Sequence, residues 1–286
     1  MKSRLLIIIA LLSLITQSFK EPLAYKIYDK QGKEVTWKEV INFCKQRDVT
    51  FFGELHDNPV THWLQFKLTK DLYDENNNLT LGAEMFEADQ QVIMNEYLAK
   101  LISEKSFEAE MRLWKNHRTD YKPLLDFAMD KKLPVVATNV PRRYASVVAK
   151  KGKDELMKVT DEAKRFICPL PYEVDTTLSG YREMMQMDMG HGSSINMVYA
   201  QAIKDATMAH FISSNLKAKG LFVHYNGAYH SESYQGIIHY LKKYSPKATV
   251  ATITTVQQKD VSTLEKDNMG KADFILVVDE EMTRTH

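Results

Sequence analysis

Two short apolar runs, far apart in the chain, end in one pattern: a glycine, two residues, then a histidine. Val49-Thr50-Phe51-Phe52 leads into Gly53-Glu54-Leu55-His56, and Leu221-Phe222-Val223-His224-Tyr225-Asn226 leads into Gly227-Ala228-Tyr229-His230. Apolar runs of this length read as buried strands. A histidine just past such a strand, on a turn that glycine allows to bend, is poised to reach a metal, a cofactor or a substrate. The two turns converge only if their strands are neighbours in one sheet. A shared site is therefore the leading expectation, and it constrains the fold.

The remaining segments supply that sheet. Leu79 to Phe86, Leu133 to Asn139, Ala248 to Val256 and Phe274 to Asp279 read as further strands. Between them lie stretches with helical spacing, such as Trp37, Val40, Ile41 and Cys44 on one face of Trp37 to Gln46. Asp57-Asn58-Pro59 is a helix cap with proline at the first helical position, opening a helix to about Tyr73. Helical segments run on through Lys132, and later helices are expected over Asn196 to Ala218 and Glu232 to Lys243. Tyr25 to Val35 reads as a small hairpin around Gln31-Gly32. Strands alternating with amphipathic helices predict an α/β fold, a mostly parallel sheet flanked by helices. Lys150 to Ser194 interrupts the alternation, with Pro169, Pro171 and a methionine-rich helix from Tyr181 to Met189, and reads as a small helical lid insertion. Its stripe of Tyr181, Met184, Met185 and Met189, followed by His191, suits either a core-facing or a ligand-facing role.

The amino terminus stands apart. Met1-Lys2-Ser3-Arg4 is basic, Leu5 to Ile15 is apolar, and Thr16-Gln17-Ser18 offers small residues for cleavage. The apolar run is shorter than the roughly 20 residues a bilayer requires, so residues 1–18 read as an export signal ahead of one domain over 19–286. Removing Lys2 and Arg4 from the 38 basic residues leaves 36 against 37 acidic ones, a net charge of −1. That balance offers no electrostatic footprint for nucleic acid or an anionic membrane. Cys44 and Cys168 are the two cysteines. They do not make a disulfide framework, and pairing or free thiols both stay open. Neither lies near the cleavage region, so no lipid-attachment cysteine is expected.

Polar residues gather at the carboxyl ends of successive strands: Glu54 and His56, then Glu84, then Asn139, Arg142 and Arg143, then Asn226 and His230. In an open parallel sheet the ligand crevice lies there. Each residue also has an ordinary role. Glu54 suits a helix amino terminus, and His56 and His230 suit loops. Glu84, inside an apolar strand end, needs a partner, for which His56, His230 and Arg142 are candidates. Arg142 and Arg143 open a helix, where the dipole disfavours cations, which favours an anionic group of a ligand. Asp205 could orient a site histidine, pair with Arg142 or bridge to a nearby lysine. His62, His210, His224 and His239 read as structural. No Gly-x-Ser-x-Gly elbow exists, which excludes that route to a serine nucleophile.

Five blocks resemble the ChaN-like haem-binding uptake proteins of the Tiki superfamily. They are Gly53-Glu54-Leu55-His56-Asp57, Ala83-Glu84-Met85-Phe86, Asn139-Val140-Pro141-Arg142, Lys204-Asp205-Ala206-Thr207-Met208-Ala209 and Gly227-Ala228-Tyr229-His230. That superfamily also includes erythromycin esterase-like hydrolases and Tiki-type metal-dependent proteases. The resemblance implies an α/β core with a helical lid, an exported location in the periplasm or at the outer membrane, and haem as ligand. A lid tyrosine, Tyr181 or Tyr172, would ligate iron, and Arg142 or Arg143 would meet a propionate. An outer-membrane receptor and a second copy of the chain stand as candidate partners. The alternative is a hydrolase in which Glu54, His56, Glu84 and His230 bind a divalent metal or activate water directly.

Overall fold

The computed structural model describes residues 23–186 and 194–285. The expected export signal, together with Met189 and His191 of the methionine-rich segment, lies outside the described residues. Seven strands form one sheet: β1 (Tyr25–Asp29), β2 (Val49–Glu54), β3 (Leu79–Glu87), β4 (Val135–Asn139), β5 (Leu221–Gly227), β6 (Val250–Gln258) and β7 (Phe274–Asp279). Their order is β1-β7-β6-β2-β5-β3-β4. Every pairing is parallel except that of β1 with β7. This is the α/β architecture expected.

The helices are α1 (Trp37–Cys44), α2 (Pro59–Glu75), α3 (Gln91–Leu98), α4 (Glu104–Glu110), α5 (Lys122–Lys131), α6 (Arg142–Lys151), α7 (Asp161–Lys164), α8 (Ser179–Gln186), α9 (Ser194–Ser214) and α10 (Ile237–Tyr244). They cover both sheet faces, so two large apolar cores form, beside a smaller one of Tyr28, Val256, Ile275 and Val277. Phe52, Leu81 and Val223 face the core shared with α1 to α5, while Phe51, Val136 and Phe222 face the one shared with α6, α9 and α10. Adjacent strand residues point to opposite faces, and with both faces covered the central strands become continuous apolar runs.

Two expectations change. The hairpin reduces to β1 and a single bridge from Tyr28 to Glu34, because β1 takes the edge of β7 as its partner and the chain turns at once into α1. The helix expected from Glu232 begins only at Ile237, since Ser233, Tyr234 and Gly236 all have positive φ and cannot continue a right-handed helix. The helical insertion contributes to the second core. Leu156, Ile167, Cys168, Tyr172 and Tyr181 are buried in the second core, with Met184 and Met185 packed against it. Cys44 and Cys168 are both buried and unpaired.

Candidate functional site

Parallel pairing sets Glu54 of β2 opposite Gly227 of β5, so the two glycine–histidine turns leave the sheet side by side. Neither glycine has a positive φ. Both are needed for close approach instead. A Cβ on Gly53 would lie 2.9 Å from the Ala228 Cα, and one on Gly227 would lie 2.8 Å from the His56 Nε2. Each turn makes room for the other, which is the physical reason the pattern occurs twice.

Around His56 the chain builds a buried hydrogen-bonded frame. The Glu54 carboxylate accepts from His56 Nδ1 at 2.8 Å, from Gln65 Nε2 at 2.6 Å and from the Tyr121 hydroxyl at 2.7 Å. The His56 carbonyl accepts from Asn116 Nδ2 at 2.8 Å and lies 3.1 Å from His62 Nε2. Asp120, itself buried, accepts from Asn116 at 2.7 Å and from the Thr285 hydroxyl at 2.8 Å. Asn58 then caps α2 by accepting from the Thr61 amide at 3.0 Å. Burial pulls the His56 pKa down, but the hydrogen bond and charge of Glu54, helped by Glu84, outweigh it and leave the pKa above its ordinary value.

His230 sits on the short 3₁₀ turn Ala228–His230. Its Nδ1 lies 2.5 Å from an Asp205 oxygen on α9, and its Nε2 lies 3.1 Å from Glu84 on β3. Ionised carboxylates only accept, so this bracketing by two acids favours the imidazolium form, and the Gln201 amide nitrogen lies 3.2 Å from each ring nitrogen. Burial opposes that charge, yet the charges of Glu84 and Asp205 together push the pKa up to about 10. Burial also works against ionised Glu84. It is outweighed by His230, by the charge of His56 and by the Gly227 amide donating at 2.8 Å, so Glu84 stays well below the usual carboxylate range. The second oxygen of Asp205 accepts from the Tyr181 hydroxyl at 2.6 Å, tying α8 to this cluster.

His56, Glu84 and His230 line one cleft of about 650 Å³ at the carboxyl edge of the sheet; Glu54 lies behind His56 and does not line it. Met85, Trp114, Val140, Ala145, Ala149, Met197 and Ala200 form its apolar walls, and Arg142 and Lys204 supply cations. The Trp114 ring meets His56 edge-on, with centroids 4.8 Å apart. Asn139, also on the wall, donates to the Glu84 carbonyl at 2.9 Å, while its buried Oδ1 has no protein partner. Arg142 reaches Glu87 at 2.5 Å through Nε, and Glu87 also accepts from Arg112 at 2.8 Å. Arg143 pairs with Asp89 at 2.5 Å and does not line the cleft. Among the described residues, none between 150 and 186 lines it either. Tyr172 donates to the Tyr199 carbonyl at 2.9 Å, and burial first of all raises the pKa of both its phenol and that of Tyr181.

Among the described residues no group of three His, Cys, Asp or Glu side chains is placed to hold a divalent cation. In this arrangement His230 lies between Asp205 and Glu84, and Glu84 also accepts from the Gly227 amide.

Over residues 40–241 the chain matches the family described as haem-binding uptake, Tiki superfamily, ChaN. The chain belongs to this family. Among solved structures it is similar to ChaN of Campylobacter jejuni, described as binding haem cofacially, with 15% identity and a TM-score of 0.67 over 89% of this chain and 97% of that one. A Bacillus cereus protein aligns at 10% identity and a TM-score of 0.50, covering 85% of this chain and 90% of the other. An erythromycin esterase mutant in its open conformation aligns at 11% identity and a TM-score of 0.47, over 82% and 77% of the respective chains. At these identities the likeness is one of fold. No curated protein sequence matches the chain.

Sequence reasoning missed Gln65, Trp114, Asn116, Tyr121 and Arg112. Gln65 carried a readable signal. It lies with His62 and Thr69 on the buried stripe of α2, among Leu64, Leu68 and Leu72, where a polar side chain needs a partner. The others lie in a run of irregular turns between α4 and α5, where no periodicity marks an inward residue.

Proposed function

We propose that this chain binds haem in the cleft beside His56 and His230, and that it is exported and serves haem or iron uptake. The observation that carries the reading is the cleft itself. Its volume of about 650 Å³ falls within the roughly 300–1,000 Å³ range of small-molecule sites, and it belongs to a chain of a haem-binding uptake family. Its residues suit the ligand. Trp114, Met85, Met197 and the wall alanines offer flat, adaptable apolar contact. Arg142 and Lys204 offer cations for carboxylates. His56, its Nδ1 fixed on Glu54, is an iron-ligating residue type on the cleft wall. Tyr181 and Tyr172 remain candidate ligands, each of which must first give up its hydrogen bond to Asp205 or to the Tyr199 carbonyl. Bound haem supplies ferric iron and two propionates, and carriage asks nothing further of it. A receptor at the outer membrane and a second copy of the chain belong to the same reading as partners.

Titrating hemin into the purified protein tests this. A saturable Soret shift is expected, and the variant among His56→Ala, Tyr181→Phe and Tyr172→Phe that alters the spectrum identifies the iron ligand. Absence of any saturable shift overturns the reading.

A specific observation favours a second reading, metal-independent hydrolysis. Both cleft histidines have Nδ1 on a buried carboxylate, Glu54 for His56 and Asp205 for His230. With Nδ1 so held, His56 has its other nitrogen to take a proton from a nucleophile, beside the fixed charge of His230. Because the His56 pKa is raised, the rate would climb as rising pH removes that proton. Ester or peptide cleavage that persists in chelator and falls about a hundredfold or more in His56→Ala would establish it.

A further inference from the structure

His224 interrupts the apolar run of β5 and is fully buried. The Phe51 ring meets it edge-on with centroids 5.8 Å apart, and the Phe222 ring stacks at 6.5 Å. A buried imidazole needs hydrogen-bond partners, and His224 has one on each of two strands. Its Nε2 lies 2.8 Å from the Thr138 hydroxyl of β4, and its Nδ1 lies 3.0 Å from Asn226 Oδ1 of β5. Both partners reach further. Thr138 donates to the Ala83 carbonyl of β3 at 2.9 Å, and Asn226 donates to Ser231 Oγ and to the Gly227 carbonyl, each at 2.9 Å. Burial outweighs the Asn226 hydrogen bond and the charge of Glu84 and holds the His224 pKa down to about 4, so the ring is neutral.

This network ends beside the cleft residues. Ala83 precedes Glu84, Thr138 precedes Asn139, and Ser231 follows His230. The Gly227 amide itself donates to the Glu84 carboxylate at 2.8 Å. The sheet ladder does not fix this corner. The β3–β5 register runs only as far as Ala83 opposite Tyr225, and the β3–β4 register shifts between Ala83 and Glu87. Glu84 therefore lies past the regular pairing on both sides, where side-chain bonds must replace ladder bonds. Thr138 on the Ala83 carbonyl and Asn139 on the Glu84 carbonyl supply them. Gly82 leaves room for the ring, since a Cβ there would lie 2.6 Å from Phe222 Cε1 and 3.2 Å from His224 Cδ2.

We propose that His224, which does not line the cleft, is a positioning residue for it: by joining β3, β4 and β5 near their carboxyl ends it sets where Glu84 and His230 stand. A site keeps its geometry only when the residues behind it are locked in turn. The consequence for haem affinity rests on the proposed haem reading, whereas the placement of Glu84 and His230 does not.

The experiment compares Thr138→Val, which removes the hydroxyl joining His224 to Ala83, with His224→Gln and Phe51→Leu. Phe51 packs in the same core beside the ring and makes no bond to a strand end, so its variant controls for lost packing. Two quantities are read. One is the ring nitrogen resonances of His230 in mildly alkaline buffer, assigned by their loss in His230→Gln; the other is hemin titration. Thr138→Val and His224→Gln are expected to move His230 toward its neutral form and to weaken hemin about threefold to tenfold, the range of one hydrogen bond. Phe51→Leu is expected to lower the melting temperature and leave both readouts near wild type. If wild type binds no hemin while the His230 signals move in Thr138→Val and not in Phe51→Leu, the haem reading falls and the positioning role stands. His230 signals unchanged in Thr138→Val, or moved equally by Phe51→Leu, overturn that role, whether or not His224→Gln folds.

Discussion

The two histidine turns share a sequence pattern and are held in opposite ways. His230, its side chain 7% exposed, lies between Asp205 and Glu84, so both of its nitrogens are spent. His56, its side chain 38% exposed, has one carboxylate partner, supplied by its own turn. The difference lies in where the acids come from. Asp205 and Glu84 arrive from α9 and β3, so His230 ties a helix and two strands together and, through Asp205, the Tyr181 hydroxyl of α8. Glu54 is two residues from His56 and ties nothing distant by that bond. The buried histidine is a fixed charge that holds the site's shape, and the half-exposed one keeps a nitrogen for a ligand or a proton.

That contrast breaks most visibly at Asp205. Asp205→Ala leaves a buried imidazolium with one partner and should cost about 3–5 kcal/mol in denaturant unfolding; a loss below about 1 kcal/mol would make the two turns equivalent. Next in size is a pH effect. The folded pKa of His230, about 10, lies above its ordinary 6.5. Its stabilisation is complete below pH 6.5 and disappears as pH rises through 10. Glu84 has the opposite sign: its depressed pKa gives stability that is present above about pH 4.5 and lost in acid. Melting curves of the wild type should therefore decline from pH 6.5 upward, and His230→Gln should flatten that decline. An alkaline slope identical in both proteins removes His230 as its source.

His56→Ala sharpens the comparison from the other side, with a stability change within about 1 kcal/mol and a large change in hemin spectrum or in hydrolysis. The smallest effect belongs to the carboxyl-terminal tail. Thr285→Ala removes a hydrogen bond to Asp120 and should cost about 1 kcal/mol, read as faster amide exchange confined to residues 55–58.

Much of this was legible in the chain. The central strands and their order of appearance followed from continuous apolar runs, because a sheet covered on both faces asks for little else from its strands. The gathering of His56, Glu84 and His230 at strand ends was legible for the same reason, since parallel strands deliver their loops to one edge. The frame behind them was not. Asn116 and Tyr121 come from irregular turns, and Asp205 sat on a helix where pairing with a neighbouring lysine explained it equally well. The glycines were read as bends, whereas Gly53 and Gly227 serve close packing between two turns, a relation visible only once the β2–β5 register is known. The residue types suited a cation, but the structure spends them on one another: His230 lies between Asp205 and Glu84, a pairing the sequence did not reveal.

The central claim is that haem occupies the cleft at the strand ends, and filling that cleft tests it most directly. Ala149 lies on the wall of α6, so Ala149→Trp places an indole in the space a macrocycle needs. With wild-type protein and Ala149→Trp titrated with hemin side by side, a saturable Soret shift is predicted in the first and its loss in the second, with melting temperature preserved. Equal saturable binding in both proteins would place haem elsewhere and contradict the account.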